Sequence, residues 1–365
     1  MAQFTDLVES LPSSVPFVGP EALERRTGAM IKARIGANEN VFGPAPSVIA
    51  AIREAASGSW MYGDPENHDL KLALAAHLGV KPENICVGEG IDGLFGYALR
   101  LFVEQGVGVA TSLGAYPTFN FHAVGFGGRL VTTPYVEDRE DPASLLALAA
   151  REQAKVIYFA NPDNPMGTVW PAAEVQRLID QTPQDTVLML DEAYTEFADP
   201  STRPALDVTR RNILRFRTFS KAYGLAGARV GYVIGQAEII KAFDKIRNHF
   251  GMPRLSQVAA LAALKDQAWL LHVVAEVKAA RAKIYEIARA NGLQPIASST
   301  NFVAVDCGRD GAFAKRVVDG LLERGIFVRM PGVAPLNRCI RISAGTPEQL
   351  ALLAAALPQV LSAAK

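Results

Sequence analysis

Apolar residues along this chain fall into two rhythms. Through the middle of the sequence, short unbroken apolar runs alternate with stretches in which apolar positions recur every three or four residues. The runs predict strands at residues 85–87, 107–110, 130–133, 156–160, 187–190, 213–216 and 229–234. A helix should start near Ile91, because Leu94, Tyr97, Ala98 and Leu101 then share one face. Alternation of this kind reads as α/β with a mainly parallel sheet between helices. A long helical pattern over 266–290 stops at Asn291-Gly292 and could join two units. Beyond it, 302–306, 327–329 and 339–343 read as strands of a smaller α+β unit.

Length supports two domains. At 365 residues the chain exceeds the roughly 100–200 residues of a typical domain. The pattern divides it into a large domain, 36–265, and a small one formed by 266–365 with 1–35. Lys+Arg and Asp+Glu balance at 37 each, so no net field draws the protein to nucleic acid or an anionic membrane. No apolar run approaches the ~20 residues of a membrane span. The first fourteen residues lack the basic flank and apolar core of a secretory signal. Three scattered cysteines, Cys86, Cys307 and Cys339, suit a reducing cytoplasm, and five dispersed histidines give no metal spacing.

The informative polar residues follow the apolar runs, at the sheet edge where open α/β folds bind ligands. Asn161-Pro-Asp-Asn-Pro-Met-Gly167 follows one run, Asp191-Glu-Ala-Tyr194 the next, and Thr218-Phe-Ser-Lys221 a third. Any one alone is most simply a turn or a helix cap. Together they place an Asn-rich loop, an acid and a lysine around one crevice. Gly88-Glu-Gly90-Ile-Asp-Gly93 matches the dinucleotide pattern, but that pattern needs a carboxylate at the end of the next strand. The following strand ends in Ala110-Thr-Ser-Leu113, which has none. The turn reads better as amides at a helix N-terminus holding a single phosphate.

The segment Thr218-Phe-Ser-Lys-Ala-Tyr-Gly-Leu-Ala-Gly-Ala-Arg-Val-Gly-Tyr232 resembles the lysine motif of fold-type-I aminotransferases of class I/II. It is most similar to the histidinol-phosphate aminotransferase branch. Ala37-Asn-Glu-Asn-Val-Phe-Gly-Pro-Ala-Pro46, Trp60-Met-Tyr-Gly-Asp-Pro65 and Cys339-Ile-Arg-Ile-Ser-Ala-Gly345 resemble other motifs of that branch. The matches run from about Phe17 to Gly345.

The resemblance implies pyridoxal 5'-phosphate as cofactor, with Lys221 as the lysine that holds it in a Schiff base. It implies Asp191 against the pyridine nitrogen, Tyr194 and Asn164 on the phenolate oxygen, and Tyr116 stacked on the ring. The phosphate would lie among Arg229, Ser220, Thr218 and the amides of Ile91 and Asp92. The branch usually has a small residue where Ile91 stands and an acid where Gly93 stands. Tyr62 resembles a tyrosine that reaches the other subunit's phosphate, which implies a homodimer with shared sites. Arg341 resembles the arginine that clamps a substrate carboxylate, and Arg329 one that binds a substrate phosphate.

The activity so implied is amino transfer between an amino donor and a 2-oxo acid, with histidinol phosphate and glutamate/2-oxoglutarate as the leading pair. That would place the enzyme in histidine biosynthesis. Phe17 stands where the branch has a tyrosine, and Val41 replaces its proline. Those departures keep open an aromatic amino-acid aminotransferase. A threonine-phosphate decarboxylase is a further reading, separable by carbon dioxide release. Arg254 reads as a second anion contact or as a surface residue at a helix start.

Overall fold

The computed structural model describes residues 3–13, 17–28 and 30–364. Its main feature is a seven-stranded sheet built from β2 (Ile85–Gly88), β3 (Gly108–Ser112), β4 (Arg129–Thr133), β5 (Val156–Ala160), β6 (Val187–Asp191), β7 (Ile213–Thr218) and β8 (Gly231–Ile234). Their order is β2-β8-β7-β6-β5-β3-β4. The pairs β3–β4, β3–β5, β5–β6 and β6–β7 are parallel, and β8 runs antiparallel to both its neighbours.

The continuous apolar runs have a direct cause. Successive strand residues point to opposite faces, and both faces here are covered. In β5, Val156, Tyr158 and Ala160 enter one core cluster, while Ile157 and Phe159 enter another. In β6, Val187 and Met189 divide from Leu188 and Leu190 in the same way. The helix Gly90–Phe102 covers the first face with Leu94, Phe95 and Ala98, and Pro142–Glu152 covers the second with Leu145 and Leu148.

A second group of strands lies towards the C-terminus. β10 (Phe302–Asp306) pairs antiparallel with β12 (Cys339–Ser343) and with the short β9 (Gln294–Pro295). The N-terminal β1 (Ala33–Arg34) pairs parallel with β11 (Ile326–Phe327). The long helix Gln267–Ala290 starts at Asp266, whose carboxylate accepts the Trp269 amide at 3.1 Å, and meets the helix Arg254–Lys265 at 81°. Among the described residues no single helix is long and apolar enough to cross a membrane.

Several expected strand bounds move by one or two residues, as in β3, found at Gly108–Ser112, and β7, found at Ile213–Thr218; three differences have a local reason. The strand expected over 229–234 begins at Gly231, because Arg229 is left-handed with φ 54° and cannot extend a strand. The run 327–329 is not one strand: β11 ends at Phe327, and Arg329 instead forms an isolated antiparallel bridge with Arg341. Asp266 caps the long helix from outside.

Candidate active site

The reversed direction of β8 builds the site. Asp191 lies in register between Ala160 and Phe216, at the C-terminal ends of the parallel strands. β8 runs the other way, so it begins at that same edge, with Gly231 opposite both Thr218 and Gly88. The lysine turn, Arg229 just before β8, and the helix N-terminus after β2 therefore converge. Two glycines permit the approach. A Cβ on Gly231 would lie 2.7 Å from the Ile91 amide nitrogen, and one on Gly90, where φ is 79°, would run into the Arg229 guanidinium.

The resulting cavity, of about 290 Å³, is lined by every site residue expected from the sequence except Tyr62. At its floor Asp191 is buried, accepting from Tyr158 Oη at 2.6 Å and from the Ala193 amide at 2.9 Å. Burial raises its carboxyl to about 6 against those two donors. Lys221 Nζ donates to the Asn38 carbonyl at 3.1 Å. Burial, then the charge of Arg341, lowers this amine to about 8. Tyr194 Oη accepts from Asn38 Nδ2 at 3.0 Å, and burial raises its phenol.

At one end, Arg229 Nη1 reaches Ser220 Oγ at 3.4 Å, and Thr218 Oγ1 accepts the Ser220 amide at 3.0 Å. Asp92, read from sequence only for its amide, also presents its carboxylate. That group accepts from Tyr116 Oη at 2.9 Å and stands 3.6 Å from Arg229 Nη2. At the other end, Arg341 Nη1 donates to Asn164 Oδ1 at 2.6 Å. No carboxylate pairs with Arg341 among the described residues, its Nε is buried without a partner, and burial lowers it to about 10. Arg329 lies beside it, stacked 4.8 Å over the Phe17 ring and donating to the Val18 carbonyl at 2.9 Å. The Phe17 and Tyr116 rings are 6.4 Å apart.

Tyr62 lies apart. It is 78% exposed, and its ring meets Phe250 at 5.0 Å. Arg254 does not line the cavity; it is the first residue of a helix and touches Gly58. Sequence reasoning missed two contributors. Tyr158 is hidden inside an apolar run. Asn38 lies in the quoted Ala37–Pro46 motif and ties that segment to Lys221, Tyr194, Asn301 and Ser343. Among the described residues no three His, Cys, Asp or Glu side chains gather as a metal site would need.

The donor set fits pyridoxal phosphate. It offers a cradle of amides, hydroxyls and an arginine at a helix N-terminus, a buried acid at the floor, and a lysine amine between them. Comparison with known proteins agrees. Residues 31–357 match the family model for aminotransferase class I and II. Histidinol-phosphate aminotransferase of Moorella thermoacetica is 31% identical over 98% of this chain and 92% of its own. Histidinol-phosphate aminotransferase 2 of Ralstonia nicotianae is 37% identical over 91% of this chain and 89% of its own. The crystal structure of the Sinorhizobium meliloti histidinol-phosphate aminotransferase, in complex with pyridoxal-5'-phosphate, superposes with a TM-score of 0.97 at 56% identity, covering 100% of this chain and 99% of that one. The aspartate aminotransferase of Thermus thermophilus with maleate gives 0.82 at 25% identity, over 99% and 100%. With its motifs in sequence order and its lysine, acid and arginines meeting at one sheet edge, the chain belongs to the class I/II family of pyridoxal-phosphate-dependent aminotransferases.

Proposed function

We propose that this aminotransferase moves the amino group between histidinol phosphate and 2-oxoglutarate/glutamate, in histidine biosynthesis. One observation carries the reading. Arg329 and Arg341 are partners in an antiparallel bridge, with backbone hydrogen bonds of 3.2 and 2.6 Å, so their side chains leave the same face. Two neighbouring guanidiniums suit a phosphate dianion, and the buried Arg341 alone suits a carboxylate. The names of the relatives above support the same substrate.

Pyridoxal phosphate, when bound, supplies the electron sink for the reacting carbon. The protein does the rest. Arg229, Ser220, Thr218 and the amides of Ile91 and Asp92, which line one end of the cavity, would hold the phosphate. Asp191 would hold the ring nitrogen, Tyr194 and Asn164 the phenolate oxygen, and Tyr116 would support the ring. Lys221, with its amine lowered to about 8, would attach the cofactor and could accept or return a proton at Nζ.

Tyr62, displayed on the surface beside Phe250 and near an 83% exposed Trp60, supports a homodimer in which it serves the partner's site. Pairing of β1 with β11 supports a small unit of 266–365 with 1–35 packed on a large unit of 36–265. Three free, buried cysteines support a reducing cytoplasm.

A second reading has its own observation. Beside the two arginines an apolar cavity of about 570 Å³ is lined by Leu113, Val318, Leu322, Phe327, Met330 and Val333, room for an aromatic side chain. The ratio of kcat/KM for histidinol phosphate over phenylalanine, in wild type and Arg329→Ala, tests both. Histidinol phosphate should win in wild type, and Arg329→Ala should reduce the ratio at least about tenfold. A preference for phenylalanine that Arg329→Ala leaves untouched would establish the aromatic reading instead.

A further inference from the structure

Three residues before Arg341, another arginine makes a different set of contacts. Arg338 immediately precedes β12 and does not line the cavity. Its Nε donates to Asp306 Oδ2 at 2.7 Å, and its Nη2 to both carboxylate oxygens of Asp138, at 2.9 and 2.7 Å. Its Nη1 donates to the Pro335 carbonyl at 3.1 Å. The three charged side chains are each between 22% and 26% exposed. A fully exposed ion pair contributes little, but a guanidinium bonded to two carboxylates on different segments also fixes their geometry.

The two carboxylates belong to different places. Asp306 is in the same small sheet, in register with Cys339, just as Ala304 is with Arg341. Asp138 lies 200 positions from Arg338, in the turn Val136–Arg139 after β4. Glu137 and Asp138 are both left-handed there, with φ 48° and 61°, a conformation that side-chain-bearing residues seldom adopt in succession. That turn is fastened to the Asn-rich loop. Thr168 Oγ1 donates to the Asp138 carbonyl at 3.4 Å, and Trp170 Nε1 to the Glu140 carbonyl at 2.7 Å. The Trp170 amide donates to Asn161 Oδ1 at 2.8 Å, and the Asp163 amide to the Thr168 carbonyl at 2.9 Å. Asn164 is the next residue.

Arg341 needs such a support. Among the described residues its only side-chain hydrogen bond is to Asn164 Oδ1, and no carboxylate orients it. Its placement therefore depends on where β12 and the Asn-rich loop put their backbones. We propose that the Asp138–Arg338 pair is a positioning device for substrate binding, holding the start of β12 against the turn that braces the Asn-rich loop. In that arrangement Arg341 meets Asn164 and keeps its remaining donors for the incoming anion. Neither Asp138 nor Arg338 touches substrate, and Asp306 steadies the Arg338 guanidinium from within its own sheet.

The proposal rests on Arg341 as a substrate residue, so Arg341→Ala is measured alongside, with glutamate as substrate of the holoenzyme. Asp138→Asn keeps a residue that tolerates the left-handed turn and removes the charge that faces Arg338. By charge alone, losing a carboxylate near an anion site would lower the KM of an anionic substrate. Loss of positioning raises it. The glutamate KM should rise about fivefold in Asp138→Asn, with kcat changed less than about twofold. Arg338→Lys keeps its charge but loses the fork that spans both carboxylates, and should act likewise. It alters no turn residue, so it decides the matter if Asp138→Asn folds poorly. Combining the two should add little to either alone. Asp185→Asn removes the same charge from the Lys155 pair, at the opposite edge of the large sheet, and should leave KM unchanged. Hydrogen exchange of the holoenzyme should quicken in 136–140 and 161–168 of the Asp138 and Arg338 variants and not elsewhere in the large sheet. A KM that stays or falls in both variants while Arg341→Ala raises it, or exchange that quickens throughout the sheet, overturns the proposal and leaves the role of Arg341 standing. If Arg341→Ala itself leaves KM unchanged, that role and this proposal fall together.

Discussion

Asn164 Oδ1 accepts a hydrogen bond from Arg341 Nη1 at 2.6 Å, joining two residues 177 positions apart. Asn164 lies in the loop after β5, and Arg341 lies within β12. The contact couples the residue proposed to touch the cofactor to the one proposed to clamp the substrate. It also leaves the rest of a buried guanidinium available to an incoming anion.

Removing Arg341 should therefore weaken both halves of the reaction. Arg341→Ala is expected to lose about 2–4 kcal/mol, roughly 30- to 1000-fold in kcat/KM, for glutamate and for histidinol phosphate. Arg341→Lys should recover only part, since an ammonium cannot reproduce the planar fork. Steady-state kinetics on both substrates check this. Equal activity in Arg341→Ala would assign the clamp elsewhere.

Lys221→Ala should abolish turnover while the phosphate cradle still binds cofactor, because Arg229, Ser220 and Thr218 are untouched. Borohydride treatment of the wild type followed by peptide mapping should place the label on Lys221. A label on another lysine would remove it from the centre of the site.

Tyr158 offers a test through pH. Its hydroxyl favours the ionised form of Asp191, whose carboxyl stands at about 6. Tyr158→Phe should raise that value, so the acid limb of the kcat profile should move to higher pH. Asp191→Ala should cost several orders of magnitude at every pH, because the ring nitrogen loses its counter-charge. An unmoved acid limb in Tyr158→Phe would separate that limb from Asp191.

The exposed Tyr62 predicts complementation. Lys221→Ala and Tyr62→Ala, each impaired alone, should regain activity when mixed, since some hybrid dimers carry one intact site. Dilution should lower activity as protomers separate. A monomer active at high dilution, or mixtures that never exceed their parts, would confine the site to one chain.

Much of this site was legible before any fold was known. Strand β5 has its sequence-predicted limits because a strand covered on both faces must be apolar throughout, and β10 has them because its four buried residues are apolar up to Asp306. Lys221, Asp191 and Asn164 stand out because they follow such runs, and Arg229 because it completes the lysine motif. Tyr158 did not, because an aromatic inside an apolar run looks like core until its hydroxyl is seen to meet a carboxylate.

The sequence by itself determined the element types, the order of the motifs and the chemistry of their side chains, all of which depend on local periodicity and residue identity. Tertiary structure decided the rest. Strand direction is not written in a run of apolar residues, so only the fold could reverse β8 and bring Arg229 to the lysine turn. The pairing of Arg329 with Arg341, the bond between Asn164 and Arg341 and the knot around Asn38 all join residues that no local period relates. Their energies depend on burial and on neighbours supplied by other elements, which no local pattern encodes.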